Sequence, residues 1–266
     1  MKHKLSLFLV GFFTINILYS QQVSEDLPKI FYKNEKTVSI NLLTNGFGLG
    51  YRYGNRINYY EKRIFDVELS AIKHPKEVKS KALSSSSKSF VFGKKNSVFD
   101  LRFGYGKQNQ LNSKKERGSV AIRYFYSLGG DVAFLKPIYY DITYVLPDGT
   151  LLKEQEKFNA EIHKSSDVDG RTSFFKGFSE MQFVPGAFIK GGFNFEFSQS
   201  ETFIHAIEAG IIFQAYISKL DIMAIDNNQR FLFNIYACYR FGKIINAQKI
   251  SESYLKKRKR RQRFFL

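Results

Sequence analysis

Phe231-Leu232-Phe233-Asn234-Ile235-Tyr236-Ala237-Cys238-Tyr239-Arg240-Phe241-Gly242 decides the fold. Its odd positions are all apolar, while its even positions include Asn234, Arg240 and Gly242. A period of two describes a strand with two unlike faces. The same alternation recurs in Phe99-Asp100-Leu101-Arg102-Phe103-Gly104-Tyr105-Gly106 and in Phe193-Asn194-Phe195-Glu196-Phe197. In a soluble sandwich the ionic face meets water and the apolar face meets a second sheet. An apolar face opposite an ionic one also suits a membrane barrel, with lipid outside and a polar lumen inside.

Eight segments carry strand character: 37–43, 47–56, 63–72, 98–106, 119–126 with a continuation through 144, 183–197, 203–218 and 230–242. Asn45-Gly46 is a two-residue hairpin signal, because both positions of that turn favour positive φ. The remaining connections alternate in length. About 25 residues join the third and fourth segments and roughly 40 join the fifth and sixth, whereas 57–62, 107–118 and 198–202 are shorter. Long outer loops and short inner turns are the habit of outer-membrane barrels. The expected fold is therefore all-β, an eight-stranded antiparallel transmembrane β-barrel with a filled lumen.

Sorting the segments by parity gives an outward set without charge, from Val38, Ile40 and Leu42 through Phe231, Phe233, Ile235 and Tyr239. The inward set holds Arg52, Arg102, Arg123, Lys190 and Arg240 against Asp66, Glu68, Asp100, Glu196 and Glu208. Eight strands leave an interior that side chains can just fill. Unpaired charges there are costly, so a balanced set predicts internal ion pairs. Gly48, Gly50, Gly104, Gly106, Gly192 and Gly210 share that face and make room for the long cations. An ion pathway through the lumen is the alternative, opposed by charge balance and narrowness.

The N-terminus reads as a secretory signal over 1–21. Lys2 and Lys4 precede an apolar run from 5 to 19, followed by Ser20-Gln21-Gln22. That run is shorter than the roughly 20 apolar residues a membrane helix needs. The segment 22–36 would then lie in the periplasm, 37–242 would form the barrel, and 243–266 would be a basic periplasmic tail. With a single cysteine, Cys238, no intramolecular disulfide forms. The formal net charge is +17.

Several stretches resemble an uncharacterised family of small outer-membrane β-barrel proteins of Bacteroidota. They are Gly48-Leu49-Gly50-Tyr51-Arg52-Tyr53-Gly54, Lys73-His74-Pro75-Lys76-Glu77, Arg123-Tyr124-Phe125-Tyr126 leading to Leu135-Lys136-Pro137, Gly192-Phe193-Asn194-Phe195-Glu196-Phe197, and Tyr239-Arg240-Phe241-Gly242-Lys243. The resemblance implies the barrel and its compartment, and a role as accessory subunit of a larger outer-membrane machine. It implies no catalytic activity.

Two basic clusters are candidate contact surfaces. Lys73, Lys76, Lys79 and Lys81 crowd the second outer loop, where they would neutralise lipopolysaccharide phosphates; a merely solvated loop is the alternative. The tail carries Lys256, Lys257, Arg258, Lys259, Arg260, Arg261 and Arg263, then Phe264 and Phe265 before Leu266. In the periplasm such a run meets no nucleic acid, so it reads as a dock for an acidic protein partner, for inner-leaflet phospholipid headgroups or for peptidoglycan carboxylates, against a disordered solubilising tail. No cofactor or metal is expected. His163 neighbours Glu161, Asp167 and Asp169 but without compact ligand spacing. The enzymatic alternative, a lipid A- or phospholipid-modifying barrel, would use His74 or His163 with serines of the same loops, such as Ser165 and Ser166.

Overall fold

The computed structural model describes residues 33–80, 89–113, 119–198, 202–224 and 228–246. They fall within one unit, Tyr32–Leu266, of the two into which the chain divides. In chain order the strands are β1 (Lys33–Leu43), β2 (Gly46–Arg56), β3 (Glu61–Ile72), β4 (Lys79–Ser80), β5 (Phe90–Val91), β6 (Asn96–Asn112), β7 (Ala121–Pro137), β8 (Tyr139–Val145), β9 (Leu151–Lys157), β10 (Val168–Arg171), β11 (Gln182–Glu196), β12 (Phe203–Tyr216) and β13 (Phe231–Asn246). Eight of them close a barrel in the order β1-β13-β12-β11-β7-β6-β3-β2. Every neighbouring pair is antiparallel, including β1 with β13, which seals the sheet. Closure leaves no unpaired edge, the condition for a sheet to stand in lipid.

Each segment of expected strand character lies in one barrel strand, but the boundaries differ: β1 starts at Lys33, within the expected 22–36 segment, β13 runs on to Asn246, within the expected 243–266 tail, and 217–218 fall outside β12. Residues 107–112, expected in a turn, extend β6 and pair with β7, as in Lys107 with Tyr126 and Gln108 with Phe125. The continuation of the fifth segment through 144 does not stay in the barrel. β7 ends at Pro137, which has no N–H to donate, and β8 starts a separate three-stranded sheet ordered β10-β8-β9. A second small hairpin, β4 with β5, lies in the connection before β6.

Outward-pointing side chains form a continuous apolar belt. Leu49 is 59% exposed, Ile189 65%, Ile211 52% and Phe233 61%, with Phe103 and Ile235 also exposed. Along β13 the belt runs from Phe231 to Phe241, ten residue steps. At about 3.3 Å each and a tilt near 40°, that spans roughly 25 Å, the height of the apolar band of an outer-membrane barrel. Charges of outward parity lie at its margins: Lys36 paired in register with Lys243, and Arg63 with Lys107, at the end where the chain enters and leaves. Tyrosines mark the same margin. Asn34 donates to the Tyr53 hydroxyl at 3.0 Å, Asn109 to that of Tyr124 at 2.9 Å, and the His205 ring lies 2.8 Å from that of Tyr239. Tyrosines placed between apolar surface and polar partners are what a membrane interface selects.

Candidate functional site

The strand register assembles the lumen charges. Arg52 stands opposite Asp66, Glu68 opposite Arg102, Arg102 opposite Asp131, and Asn194 opposite Glu208. Opposed charges on adjacent strands attract, and a one-residue slip would turn each of them toward lipid. All ten charged residues assigned inward by parity are buried. Glu35, Lys62 and Asp131 join them inside the barrel. The alternation missed these three because Glu35 and Lys62 precede the recognisable segments and Asp131 follows Gly129-Gly130, where the signal breaks.

Three layers of polar contacts fill the interior. At the end where β1 begins and β13 ends, Lys62 pairs with Glu35 and Arg123 with Glu196. In the middle, Glu208 is the hub. It accepts from Arg52 Nη1 at 2.5 Å, from Arg240 Nε at 3.0 Å and Nη2 at 3.2 Å, and from Asn194 at 2.9 Å. Arg52 also donates to both oxygens of Asp66, at 2.5 and 3.1 Å, and its guanidinium lies 4.6 Å from the Phe125 ring centre. Lys190 pairs with Glu68 and sits 4.4 Å from the Tyr236 ring centre. Toward the outer side, Arg102 bridges Glu68 at 3.1 Å and Asp100 at 3.2 Å. The Gln214 amide donates to Asp100 and Asp131, and the Tyr216 hydroxyl donates to Asp100.

Apolar groups complete the seal. Phe125, Phe188, Ile212 and Tyr236 pack across the middle of the barrel. At the outer mouth Leu220, Ile222 and Met223, from the connection between β12 and β13, pack against Ile72, Val98, Leu135 and Val184. Gly104 makes room for the mid-barrel ring of Phe188, since a Cβ there would come 2.9 Å from the tip of that ring. A void among Arg52, Arg123, Asn194 and Arg240 amounts to about 10 Å³, room for about one water. Cys238 faces inward, its thiol 3.5 Å from Glu208.

The long connections build the outer surface. β8, β9 and β10 carry a core of Ile138, Tyr140, Ile142, Phe158 and Val168, to which Phe90 from the second outer loop contributes. The Tyr140 hydroxyl lies 2.9 Å from the Val91 carbonyl and 2.7 Å from that of Lys94, tying the two loops together. Burial pushes this phenol well above its ordinary pKa. β9 is an edge strand, and the turn beside it exposes Val145 and Leu151. A separate aromatic group lies at the rim: Phe174 packs edge-on to the outward Phe99, with Phe175 80% exposed beside it. Lys136, of outward parity, is buried beneath Phe174 and Phe178.

Of the loop lysines, Lys73, Lys76 and Lys79 are exposed, whereas Lys94 is bound to Glu77 at 2.7 Å. Lys81 lies outside the described residues, as does the tail run from Lys256 through Lys257, Arg258, Lys259, Arg260, Arg261 and Arg263 to Phe264 and Phe265. His163 is 4% exposed. Its Nδ1 accepts from the Asn159 N–H at 3.1 Å, and its Nε2 lies 3.1 Å from the Tyr144 hydroxyl and 3.3 Å from Glu156. Ser166 donates to Asp167 instead. The constellation of His163 with Ser165 or Ser166 is therefore not assembled. Among the described residues no three His, Cys, Asp or Glu side chains gather as a metal site.

An uncharged belt of membrane height, a closed antiparallel sheet and a filled ionic lumen define an eight-stranded β-barrel of the outer-membrane type. No protein-family model matches the chain, and no curated protein sequence does. Among solved structures it is similar to Ail, the attachment invasion locus protein of Yersinia pestis, determined in complex with the heparin analogue sucrose octasulfate. The TM-score is 0.41 at 8% identity over 81% of this chain and 100% of that one. It is also similar to Neisserial surface protein A, with a TM-score of 0.38 at 11% identity over 80% and 97%.

Proposed function

We propose that this is a non-conducting outer-membrane barrel acting as a structural or accessory subunit of a larger outer-membrane assembly. Its contact surfaces are the outer loop sheet and the basic C-terminal run. The observation that supports this reading is the contrast between a sealed lumen and an open β9 edge. Inside, cations and carboxylates are held together beneath an apolar cap; outside, β9 ends its sheet with no further strand beside it among the described residues, next to the apolar side chains of Val145 and Leu151. Edge strands of that kind accept an added strand from a partner. The exposed Lys73, Lys76 and Lys79 suit contact with lipopolysaccharide phosphates on the same side. The sequence resemblance supports placing the chain in the Bacteroidota barrel family.

A photo-activated cross-linking residue at Leu151, with another at the belt position Ile211, tests the reading in intact cells. The expected result is a discrete protein adduct from Leu151 and none from Ile211. Identical or absent adducts at both positions would remove the support for an accessory role. Deleting 254–266 is expected to lower recovery of periplasm-facing partners.

A further inference from the structure

A cavity of about 250 Å³ opens at the outer rim, between the Asn45-Gly46 turn, the start of the second outer loop and the connection from β12 to β13. Its floor is apolar, with Ile72, Leu220, Ile222 and Leu232. Its upper wall carries Lys73, His74 and Lys76, and no acidic side chain lines it among the described residues. Asn234, 1% exposed, also lines it; its Oδ1 accepts from Thr44 at 3.0 Å, while its Nδ2, itself buried, has no hydrogen-bond partner among the described residues. A buried amide donor left unmatched costs free energy unless a bound group accepts from it. His74 Nδ1 accepts from the Lys76 N–H at 3.2 Å, so in the neutral ring Nε2 bears the proton and is a second donor.

The wall is therefore donor-rich and cationic above an apolar floor. The cavity is also continuous with the membrane. Phe233 lines it and belongs to the outward belt, 61% exposed, and the Lys73 ammonium lies 5.4 Å from the ring centre of the outward Phe47. A ligand in this place meets headgroup chemistry above and hydrocarbon below.

We propose that this rim cavity binds the phosphorylated headgroup of an outer-leaflet lipid. Lys73 and Lys76 neutralise the phosphate, Asn234 donates to a headgroup oxygen, and an acyl chain descends over Phe233. The inference rests on the outer-membrane reading and gives its general lipopolysaccharide contact a defined site.

Native mass spectrometry of the detergent-purified full chain tests it, with diphosphorylated lipid A, its dephosphorylated form and inorganic phosphate as probes. One phosphorylated lipid per barrel is expected to be retained, and the dephosphorylated form about tenfold more weakly. The double variant Lys73→Gln/Lys76→Gln, altered only at exposed positions, is expected to lose retention to a similar degree. Asn234→Val is expected to weaken it several-fold. Equal retention of both lipids, unchanged retention by the double variant, or phosphate binding as tight as the lipid's would each overturn the site. Lipid retention without a Leu151 adduct would sink the accessory role alone; the adduct without phosphate-dependent retention would sink the lipid site alone.

Discussion

Glu208 shows most clearly what a single side chain contributes. It is fully buried, and two guanidiniums and an amide converge on it. Taking charges out of water is expensive, so such a network adds little net stability over a well-packed apolar core while breaking it is costly. Replacing Glu208 by Ala would strand Arg52 and Arg240 in the barrel, although Asp66 still holds Arg52. The expected loss is about 3–5 kcal/mol, read by urea unfolding in lipid vesicles. A loss under about 1 kcal/mol would mean that water fills the gap cheaply. The opposite face gives an independent test. Ile211→Arg places a charge in the belt and should cost about 2–4 kcal/mol if that position meets the hydrocarbon midplane. A neutral effect would place Ile211 in water.

At the scale of the element, β13 carries both faces over its whole length. Single spin labels from Phe231 to Phe241, in a Cys238→Ala background, should alternate. Odd positions are expected to be accessible to oxygen and shielded from a water-soluble relaxer, and even positions shielded from both. Loss of the alternation would contradict the register. The outer sheet has its own expected behaviour. Hydrogen bonding by Thr143 and then Lys153 holds the Asp169 carboxyl below its usual range. A lowered folded-state pKa stabilises above the unfolded value and loses that contribution as pH falls through the folded one. Amide exchange in β8 and β10, corrected for intrinsic rate, should thus speed up as pH is lowered below about 4 while the barrel strands stay protected. All eight barrel strands could be read from alternation, because lipid and lumen impose opposite chemistry on consecutive residues. The outer sheet could not: Leu151-Leu152-Lys153-Glu154-Gln155-Glu156-Lys157 has no period of two, and its apolar partners come from another loop. The rim cavity was equally hidden, since three separate connections build it and Asn234 looks like any other inward residue of β13.

For the whole molecule, the belt fixes the solvent of the outer face and the ion pairs fix the contents of the inner one. Together they account for both faces of the barrel wall, apolar side chains outside and ion-paired ones inside. A barrel of eight strands is just wide enough for side chains to fill it, and here Phe125, Phe188, Tyr236 and the ionic layers do so beneath the Leu220, Ile222 and Met223 cap. A lumen filled in this way passes nothing, and conductance in planar bilayers tests that most directly. The purified full chain is expected to give no steps above the bare bilayer, whereas stable ohmic steps that scale with inserted protein would contradict a sealed lumen and return the function to the barrel's interior.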